Sequence, residues 1–241
     1  MTLIRLPIPL RHILRCMVLL ALCSSCARLG VPLPRIEERK PPVGIYHTVR
    51  SGETLWRICK AYNAGIQDVA ELNNIQDPSK IKAGDRIFIP GATKALQLHP
   101  VAPAGRDVRE PEPRIVRETG LFCWPVQGRV VQEYGITQNQ KNDGISIQAP
   151  AGAPVVAAAA GTVAFADFLR GYGNTIIINH SDRFVTVYAQ VHKISVRQGQ
   201  HVRQNEKIAQ VAAAQADGLP QLHFQIRKDN KPRNPMFYLP R

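Results

Sequence analysis

The sequence has no apolar run long enough to cross a bilayer as a permanent helix, which takes roughly 20 residues. One shorter apolar run, from Cys16 to Cys23, follows three arginines and precedes several small residues. A basic segment, a short apolar run and small residues are typical of an export signal. We therefore predict a signal segment over residues 1–25 rather than a membrane-spanning helix.

Dense runs of lysine and arginine with interleaved aromatic residues are also missing, although basic residues outnumber acidic ones by 31 to 18. Such clustered basic residues are the sequence signature of nucleic-acid binding, and export argues against that class as well. An exported basic protein is better explained by an acidic cell wall or an acidic protein partner. We predict no nucleic-acid partner.

Cysteine is scarce too, and two of the five cysteines lie within the predicted signal segment. Cys59 and Cys123 lie inside the apolar patterns "LWRICKAY" and "LFCWPV". This placement predicts buried, reduced thiols rather than a disulfide between two separately folded parts.

Cys26 has a different context, because it follows Ser24 and Ser25 and precedes a polar, proline-rich stretch. The segment resembles a bacterial lipobox, with Cys23 at the position that usually holds leucine. Cleavage by an ordinary signal peptidase is the alternative. If the resemblance holds, acyl chains on Cys26 anchor the protein in a membrane. Ala27, in place of aspartate, resembles lipoproteins of the outer membrane, so we expect anchorage at its periplasmic face.

Proline-rich segments divide the rest of the chain into two folded parts. We predict a tether over residues 26–45, a small domain over residues 46–90, a linker over residues 91–120 and a larger domain over residues 121–241. A proline-rich linker acts as a semi-rigid spacer. Little direct coupling between the two folded parts is therefore expected.

The small domain has the pattern of a strand, two helices and a second strand. Thr54 is a plausible N-cap for the first helix, and Leu55, Ile58 and Tyr62 fall on one face of it. The same helical spacing predicts that Trp56 and Tyr62 pack in the core rather than stack on a sugar. The two strands and the two helices predict a small α/β fold of order βααβ.

The stretch "HTVRSGETLWRICKAYN", with "LNNI" and "IKAGDRIFIP" after it, resembles a LysM domain. LysM domains bind the N-acetylglucosamine-containing glycan of peptidoglycan, so the resemblance implies peptidoglycan as a partner. It also implies two glycan-binding loops, formed by Ser51, Gly52, Glu53, Thr54, Asn74, Ile75, Asp77, Pro78 and Ile81.

The larger domain consists of short alternating segments joined by Gly/Asn/Asp turns, with almost no helical period. Six segments predict strands: "GRVVQEY", "GTVAFADFL", "NTIIINH", "RFVTVYAQ", "KIAQVAA" and "LHFQIR". The short links "GYGN" and "HSD" are typical of hairpins. We predict an all-β sheet domain.

"GISIQAPAGAPVVAAAAGTV", "RGYGNTIIINHSDRFVTVYA" and "LHFQIRKDNKPRNPMFYLP" resemble LytM or lysostaphin-like zinc endopeptidases. Active members use a His and an Asp around a Gly, a "YxH" and an "HxH". Mapped onto this chain, the resemblance places the five chemical positions at Asn142, Ser146, Gln190, Gln221 and His223.

Only His223 retains the residue that the chemistry requires. A catalytic zinc needs three protein ligands and an open water position, and neutral Asn, Ser and Gln are poor zinc ligands. Hydrolysis also needs a group that moves a proton. The sequence therefore predicts no metal, no cofactor and no catalysis. An endopeptidase with unusual ligands, drawing on His180 or His192, is an alternative, although His180 is more easily explained as structural.

The whole arrangement resembles NlpD-type envelope lipoproteins, which activate N-acetylmuramoyl-L-alanine amidases that split septal peptidoglycan. The resemblance implies a regulator whose old active-site groove captures a helical element of the amidase. The groove floor would be the five positions above, with Arg170 and Arg227 available to acidic side chains of the partner. A passive cell-wall tether, in which both domains only bind peptidoglycan, is a second alternative.

Overall fold

The computed structural model of the chain describes residues 43–97, 114–137, 140–214 and 218–241. The predicted signal segment, Cys26 and the tether as far as residue 42 lie outside the described residues. Within the described ranges, no helix is long and apolar enough to span a membrane.

The first domain has the predicted βααβ order. Its elements are β1 (Gly44–Thr48), α1 (Leu55–Ala61), α2 (Ile66–Leu72) and β2 (Arg86–Pro90). The two strands pair antiparallel. The predicted N-cap is confirmed, because the Thr54 hydroxyl accepts a hydrogen bond from the backbone N–H of Arg57 and so satisfies one of the free donors of the first turn.

The core of this domain forms between the apolar faces of the two helices and the strand pair, from Val49, Leu55, Ile58, Cys59, Val69, Ala70, Ile87 and Ile89. Tyr62 packs against this cluster, as predicted. The prediction for Trp56 is wrong. Its ring is half-buried and lies outside the cluster, with the Lys60 ammonium 4.6 Å from its centroid.

Cys59 and Cys123 are free, so the predicted absence of a disulfide between them is confirmed, whereas the prediction that both are buried is wrong for Cys123. Cys59 is buried, and burial raises the pKa of its thiol to about 11. Cys123 is half-buried, and burial raises the pKa of this thiol as well. Because the thiolate is the reactive form, both side chains are chemically quiet at neutral pH.

The second domain is built from short strands, and all six predicted strands are present. The strands are β3 (Arg129–Gln132), β4 (Gly135–Thr137), β5 (Gln140–Asn142), β6 (Ile145–Gln148), β7 (Pro154–Val156), β8 (Gly161–Leu169), β9 (Gly173–Asn179), β10 (Phe184–Ala189), β11 (Val191–His192), β12 (His201–Val202), β13 (Lys207–Val211), β14 (Gln221–Lys228) and β15 (Lys231–Arg233). Short 3₁₀ turns occur at Pro78–Lys80, Ser181–Arg183 and Pro235–Phe237.

One large antiparallel sheet forms the centre of the second domain. Its strand order is β12-β8-β9-β10-β14-β6-β3, with β15 also paired to β14. A three-stranded sheet, β11-β13-β7, and the β4–β5 pair complete the described strands of this domain. The main core lies on one face of the large sheet, and Phe122, Tyr188, Phe224 and Phe237 are among its largest members.

The central strand β14 alternates between two buried environments. Leu222, Phe224 and Ile226 point into the main core, so the residues between them lie on the opposite face. These alternate residues are His223, Gln225 and Arg227, and all of them are buried. These three polar residues therefore form a row on the second face of the large sheet. One of them, His223, is also one of the five former zinc-ligand or catalytic positions.

The expectation that the two domains have little direct coupling is wrong. Both belong to one compact unit, and side chains of α2 bond directly to the second domain. The carboxylate of Glu71 accepts a hydrogen bond from Arg233 at 2.7 Å. Gln67 and Val116 exchange two hydrogen bonds, and Ile115 packs against both cores. The end of the predicted linker thus returns to the surface of the first domain.

Candidate functional site

An open groove of about 410 Å³ lies at one end of the large sheet. It is lined by Phe168, Gly171, Tyr172, Gly173, Gln190, Ala212, Ala213, Ala214, Gly218, Leu219 and Gln221. Two apolar side chains in this lining are strongly exposed, Phe168 at 66% and Leu219 at 62%. Large apolar side chains beside amides at a concave surface are typical of a binding site.

Local backbone geometry places three of the polar side chains in the groove. Tyr172 lies in the tight turn between β8 and β9, flanked by Gly171 at φ +83° and Gly173 at φ +73°. Gln190 follows β10 and has a φ of +62°, which turns the chain sharply at the end of the strand. Gln221 is the first residue of β14. The contribution of Tyr172 was missed because "GYGN" was interpreted only as a hairpin, and Phe168 and Leu219 were missed because only the former ligand positions were assigned to the groove.

The five former ligand and catalytic positions do not all reach this groove. Of the five, only Gln190 and Gln221 contribute to its lining, whereas Asn142, Ser146 and His223 are buried. Ser146 and His223 are directly opposite one another on paired strands, which agrees with the motif alignment. The five positions remain predicted partner-binding residues, two in the lining of the groove and three buried.

Asn142 and Ser146 are bonded to the neighbouring chain segment. The Asn142 amide donates to the Glu133 carbonyl at 2.7 Å, and the Ser146 hydroxyl donates to the Gln132 side-chain oxygen at 3.2 Å. These hydrogen bonds therefore join β5 and β6 to the chain segment at the end of β3.

His223 is held in a hydrogen-bonded row that runs along β14. Arg227 donates to Gln225 Oε1 at 3.3 Å, which fixes the orientation of the amide, since a guanidinium has no acceptor. The opposite end of the amide, Gln225 Nε2, lies 3.0 Å from His223 Nε2 and donates to Tyr172 Oη at 3.3 Å. His223 Nε2 must therefore accept from the amide, and its lone pair faces the Gln225 nitrogen.

The prediction that Arg227 can meet acidic residues of a partner is wrong. Arg227 is 5% exposed, and besides Gln225 it donates to the Asn230 carbonyl within its own hairpin. Arg170, in contrast, is exposed at the β8–β9 turn beside the groove.

A zinc ion does not fit these residues. Three of the five positions are amides, the fourth is a hydroxyl, and the lone pair of the one imidazole is occupied by Gln225. Among the described residues, no three or more His, Cys, Asp or Glu side chains form a group that could hold a metal ion.

The two histidines of the endopeptidase alternative lie elsewhere. His180 bonds to the Ala160 carbonyl at 2.8 Å and to Thr186 Oγ1 at 2.7 Å, and burial lowers its pKa. These contacts agree with the structural role predicted for it. His192 is exposed on β11.

The predicted glycan-binding loops of the first domain contain both exposed and inward-facing residues. Ser51, Gly52 and Asp77 are exposed. Ile75 and Ile81 pack against the domain core, Thr54 caps α1, and Pro78 starts a 3₁₀ turn. Asn74 bonds to the second domain. The set remains a prediction, of which the exposed part is the most accessible to a sugar.

Glu53 shapes the first of these loops from inside. Its side chain is 4% exposed and accepts hydrogen bonds from His47 Nε2 at 2.9 Å and from the Arg50 N–H at 2.8 Å. Burial by itself raises the pKa of Glu53, but the hydrogen bonds and the charges of His47 and Arg50 together outweigh it and hold the pKa below its usual 4.5. His47, to which the sequence assigned no role, also contacts the Tyr62 hydroxyl at 3.0 Å.

The lowered pKa of Glu53 predicts an acid-sensitive contribution to stability. A carboxylate with a depressed folded-state pKa stabilises the fold fully above its unfolded value, and this contribution is lost as the pH falls through the folded value. Between about pH 5 and about pH 3, the melting temperature of the parent protein should therefore fall more than that of Glu53→Gln. Equal falls in melting temperature for the parent protein and for Glu53→Gln would contradict this assignment. The matched control is Glu206→Gln, whose melting temperature should fall as much as that of the parent protein.

Comparison with known proteins agrees with both domains. The LysM domain family matches residues 47–90, and peptidase family M23 matches residues 140–235. The uncharacterized lipoprotein YgeR of Escherichia coli is 34% identical over 209 residues, which cover 82% of each chain. A lipoprotein NlpD/LppB homolog of Pseudomonas aeruginosa is 31% identical over 269 residues, 92% of this chain and 89% of that one.

The murein hydrolase activator NlpD of Escherichia coli is 39% identical over 118 residues, which cover 48% of this chain and 31% of that protein. The two longer matches extend over both folded parts and over most of each relative. The chain therefore belongs to the NlpD/LppB-type lipoproteins, with a LysM domain followed by a domain of peptidase family M23.

Proposed function

We propose that this protein is a non-catalytic activator of an N-acetylmuramoyl-L-alanine amidase in cell-wall splitting during daughter-cell separation. The observation that carries the proposal is the contrast at the former active site. The residues that zinc chemistry needs are replaced, yet an open groove with exposed apolar walls remains beside them. A relative with this M23 domain bears the name of a murein hydrolase activator.

The chemistry of the groove suits a segment of another protein. Phe168 and Leu219 offer apolar surface of the kind that an amphipathic helix buries in a groove. Gln190 and Gln221 can hydrogen-bond a partner without leaving a charge stranded in the interface. Arg170 lies beside them and can pair with an acidic side chain. The bound segment of the amidase is therefore expected to be helical, apolar on one face and acidic at its edge.

Activation follows if the groove binds one conformation of the amidase better than another. An amidase that is inhibited by one of its own helices exists in equilibrium between a closed and an open state. A partner can shift that equilibrium only through its difference in affinity for the two states. Capture of a helical element next to the inhibitory helix gives such a difference in affinity, because this element is accessible to the groove only in the open state.

The LysM domain directs this activity to peptidoglycan. Its exposed loop residues Ser51, Gly52 and Asp77 offer backbone and side-chain polar groups at the surface, which suit a sugar chain. The basic excess of the whole chain adds attraction to an acidic cell wall.

Acylation of Cys26 is the proposed anchor, at the periplasmic face of the outer membrane. The matching relatives are named lipoproteins. Two or more acyl chains hold a protein firmly, whereas one chain is marginal. Cys26→Ser should therefore move the protein from the membrane fraction to the soluble fraction. Retention in membranes after a high-salt wash would rule out this anchor.

A direct binding experiment tests the proposed function. The chain without residues 1–25 should capture the amidase of the same cell in a pull-down with purified proteins. It should also retain less than stoichiometric zinc after dialysis against zinc-containing buffer. Failure to bind the amidase, with sacculi still bound, would make the protein a passive tether. Stoichiometric zinc with chelator-sensitive peptide cleavage would make it an endopeptidase.

A further inference from the structure

The contact between the two domains is centred on a buried carboxylate. Glu71 of α2 is 2% exposed. Its two carboxylate oxygens accept hydrogen bonds from Arg233 Nη2 at 2.7 Å and from the Asn234 N–H at 3.0 Å. The side-chain amide of Asn234 donates to the Glu71 carbonyl at 3.0 Å. We call Glu71, Arg233 and Asn234 the clasp.

Charge strengthens the clasp from both sides. Burial works against the charge of Arg233, but Glu71 and Tyr238 together outweigh burial and raise the pKa of the guanidinium above its ordinary value. Asp68 accepts a second hydrogen bond from Arg233, at 3.0 Å. Gly135 lies so close to α2 that a Cβ there would be 2.4 Å from the Leu72 carbonyl oxygen. The two domains therefore fit closely where the clasp joins them.

Asn74, a residue of the second predicted glycan-binding loop, is part of the same contact. It follows α2 with a φ of +54°, which turns the chain sharply after the helix. Its amide nitrogen donates to Glu133 Oε2 at 3.0 Å, and its oxygen accepts from Asn234 Nδ2 at 3.4 Å. Both ends of the Asn74 amide are thus used by the second domain.

Polar groups make up much of this contact, and Leu72 of α2 adds an apolar part by packing against the core of the second domain. The hydrogen-bonding groups of the contact, among them Glu71, Asn74, Arg233 and Asn234, can all be hydrated when they separate, and interfaces between domains of one chain resemble transient interfaces. The proline-rich linker keeps the separated domains at a high effective concentration, so that the clasp can form again.

We propose that the clasp is a latch that restrains the LysM domain, with the docked arrangement as its closed state. In the closed state the second domain holds Asn74, so part of the glycan-binding surface is blocked. Glycan that contacts Asn74 favours the open state, in which the LysM and M23 domains separate. This inference rests on the proposed role of the LysM loops in glycan binding.

Linkage fixes the direction of the expected effects. A ligand that binds only the open state shifts the equilibrium toward it. Any change that opens the latch therefore raises the apparent affinity for that ligand, by the factor by which it raises the open fraction of the protein. The informative change is Arg233→Ala, because Arg233 belongs to the M23 domain and lies outside the proposed glycan site. Glu71→Ala opens the same clasp from the LysM side.

The experiment uses the chain without residues 1–25, with both domains and their linker intact. Isothermal titration with a pentamer of β-1,4-linked N-acetylglucosamine measures glycan affinity. Small-angle X-ray scattering measures the radius of gyration, and circular dichroism confirms folding. We expect Arg233→Ala and Glu71→Ala to expand the molecule and to raise the affinity at least about fivefold, the lower end of typical coupling factors. Arg197→Ala removes an exposed arginine of the M23 domain as a matched control.

Each other outcome identifies a different failure. If the expanded variants bind the pentamer no more tightly than the parent protein, the latch is overturned and glycan binding stands. If the double variant Glu71→Ala/Arg233→Ala stays compact and its affinity for the pentamer is unchanged, the clasp does not hold the domains together, and the latch is overturned. Absence of binding in the parent and in every variant overturns the glycan-binding function itself, and the latch with it.

Discussion

Replacing either groove glutamine with arginine is expected to abolish amidase activation while the protein stays folded. Gln190 and Gln221 both line the open groove, where a docked helix would enclose them. A charge in that position loses its water and, without a partner, costs several kcal/mol (about 2–7 for an uncompensated polar group, and more for an ion). Binding interfaces depend on a few central residues, so the loss should exceed about tenfold in affinity, or about 1.4 kcal/mol.

The measurement compares amidase affinity and amidase-dependent dye release for Gln190→Arg, Gln221→Arg and a control. Gln198→Arg introduces the same charge at an exposed loop position outside the groove and should behave as the parent protein does. Full activation by both groove variants would place the amidase elsewhere on the surface and would leave the groove without a function.

Replacing Gln225 with alanine is expected to destabilise the second domain by about 3 kcal/mol. The Gln225 amide is fully buried and joins Arg227, His223 and Tyr172. Its removal takes an acceptor from a buried guanidinium, and hydrogen bonds to charged groups contribute about 1.5–3 kcal/mol. The space left by the side chain adds a further cost. Because Tyr172 also loses its hydrogen bond to Gln225, amidase affinity should fall as well.

Urea denaturation followed by tryptophan fluorescence measures this change. The matched control is Gln148→Ala, on the neighbouring strand β6, where the half-buried side chain accepts from the exposed Arg129. Substitutions at such sites usually change stability by less than about 0.5 kcal/mol. Similar losses for the two variants would show that the buried row contributes no more than a surface glutamine does.

Much of the fold follows from local patterns in the sequence. Alternating residues predict β10 and β14, and the Thr54 N-cap with helical spacing predicts α1, because these signals depend on neighbours in the chain. The resemblance assigned Ser146 and His223 to one former site, and the structure places them directly opposite one another on paired strands. Trp56 was misplaced because helical spacing alone does not show where the edge of a small core lies.

The missing parts of the prediction depend on contacts between distant segments. Glu71 has the appearance of an ordinary exposed helix residue, and only the fold brings Arg233 to it. Arg227 resembles a solvated strand end, but the strand pairs of the sheet bury it. The alignment also did not show that Tyr172 lines the groove and packs near His223. The side chain of Tyr172 comes from the hairpin turn between β8 and β9, which lies far along the chain from His223.

Dye release from labelled sacculi tests the central claim most directly. Three reactions contain the amidase alone, the chain without residues 1–25 plus zinc, and the amidase together with that chain. The account predicts that the combined reaction releases dye faster than the amidase alone, while the chain with zinc releases no more than buffer. Release by the chain alone, or no acceleration of the amidase, would contradict it.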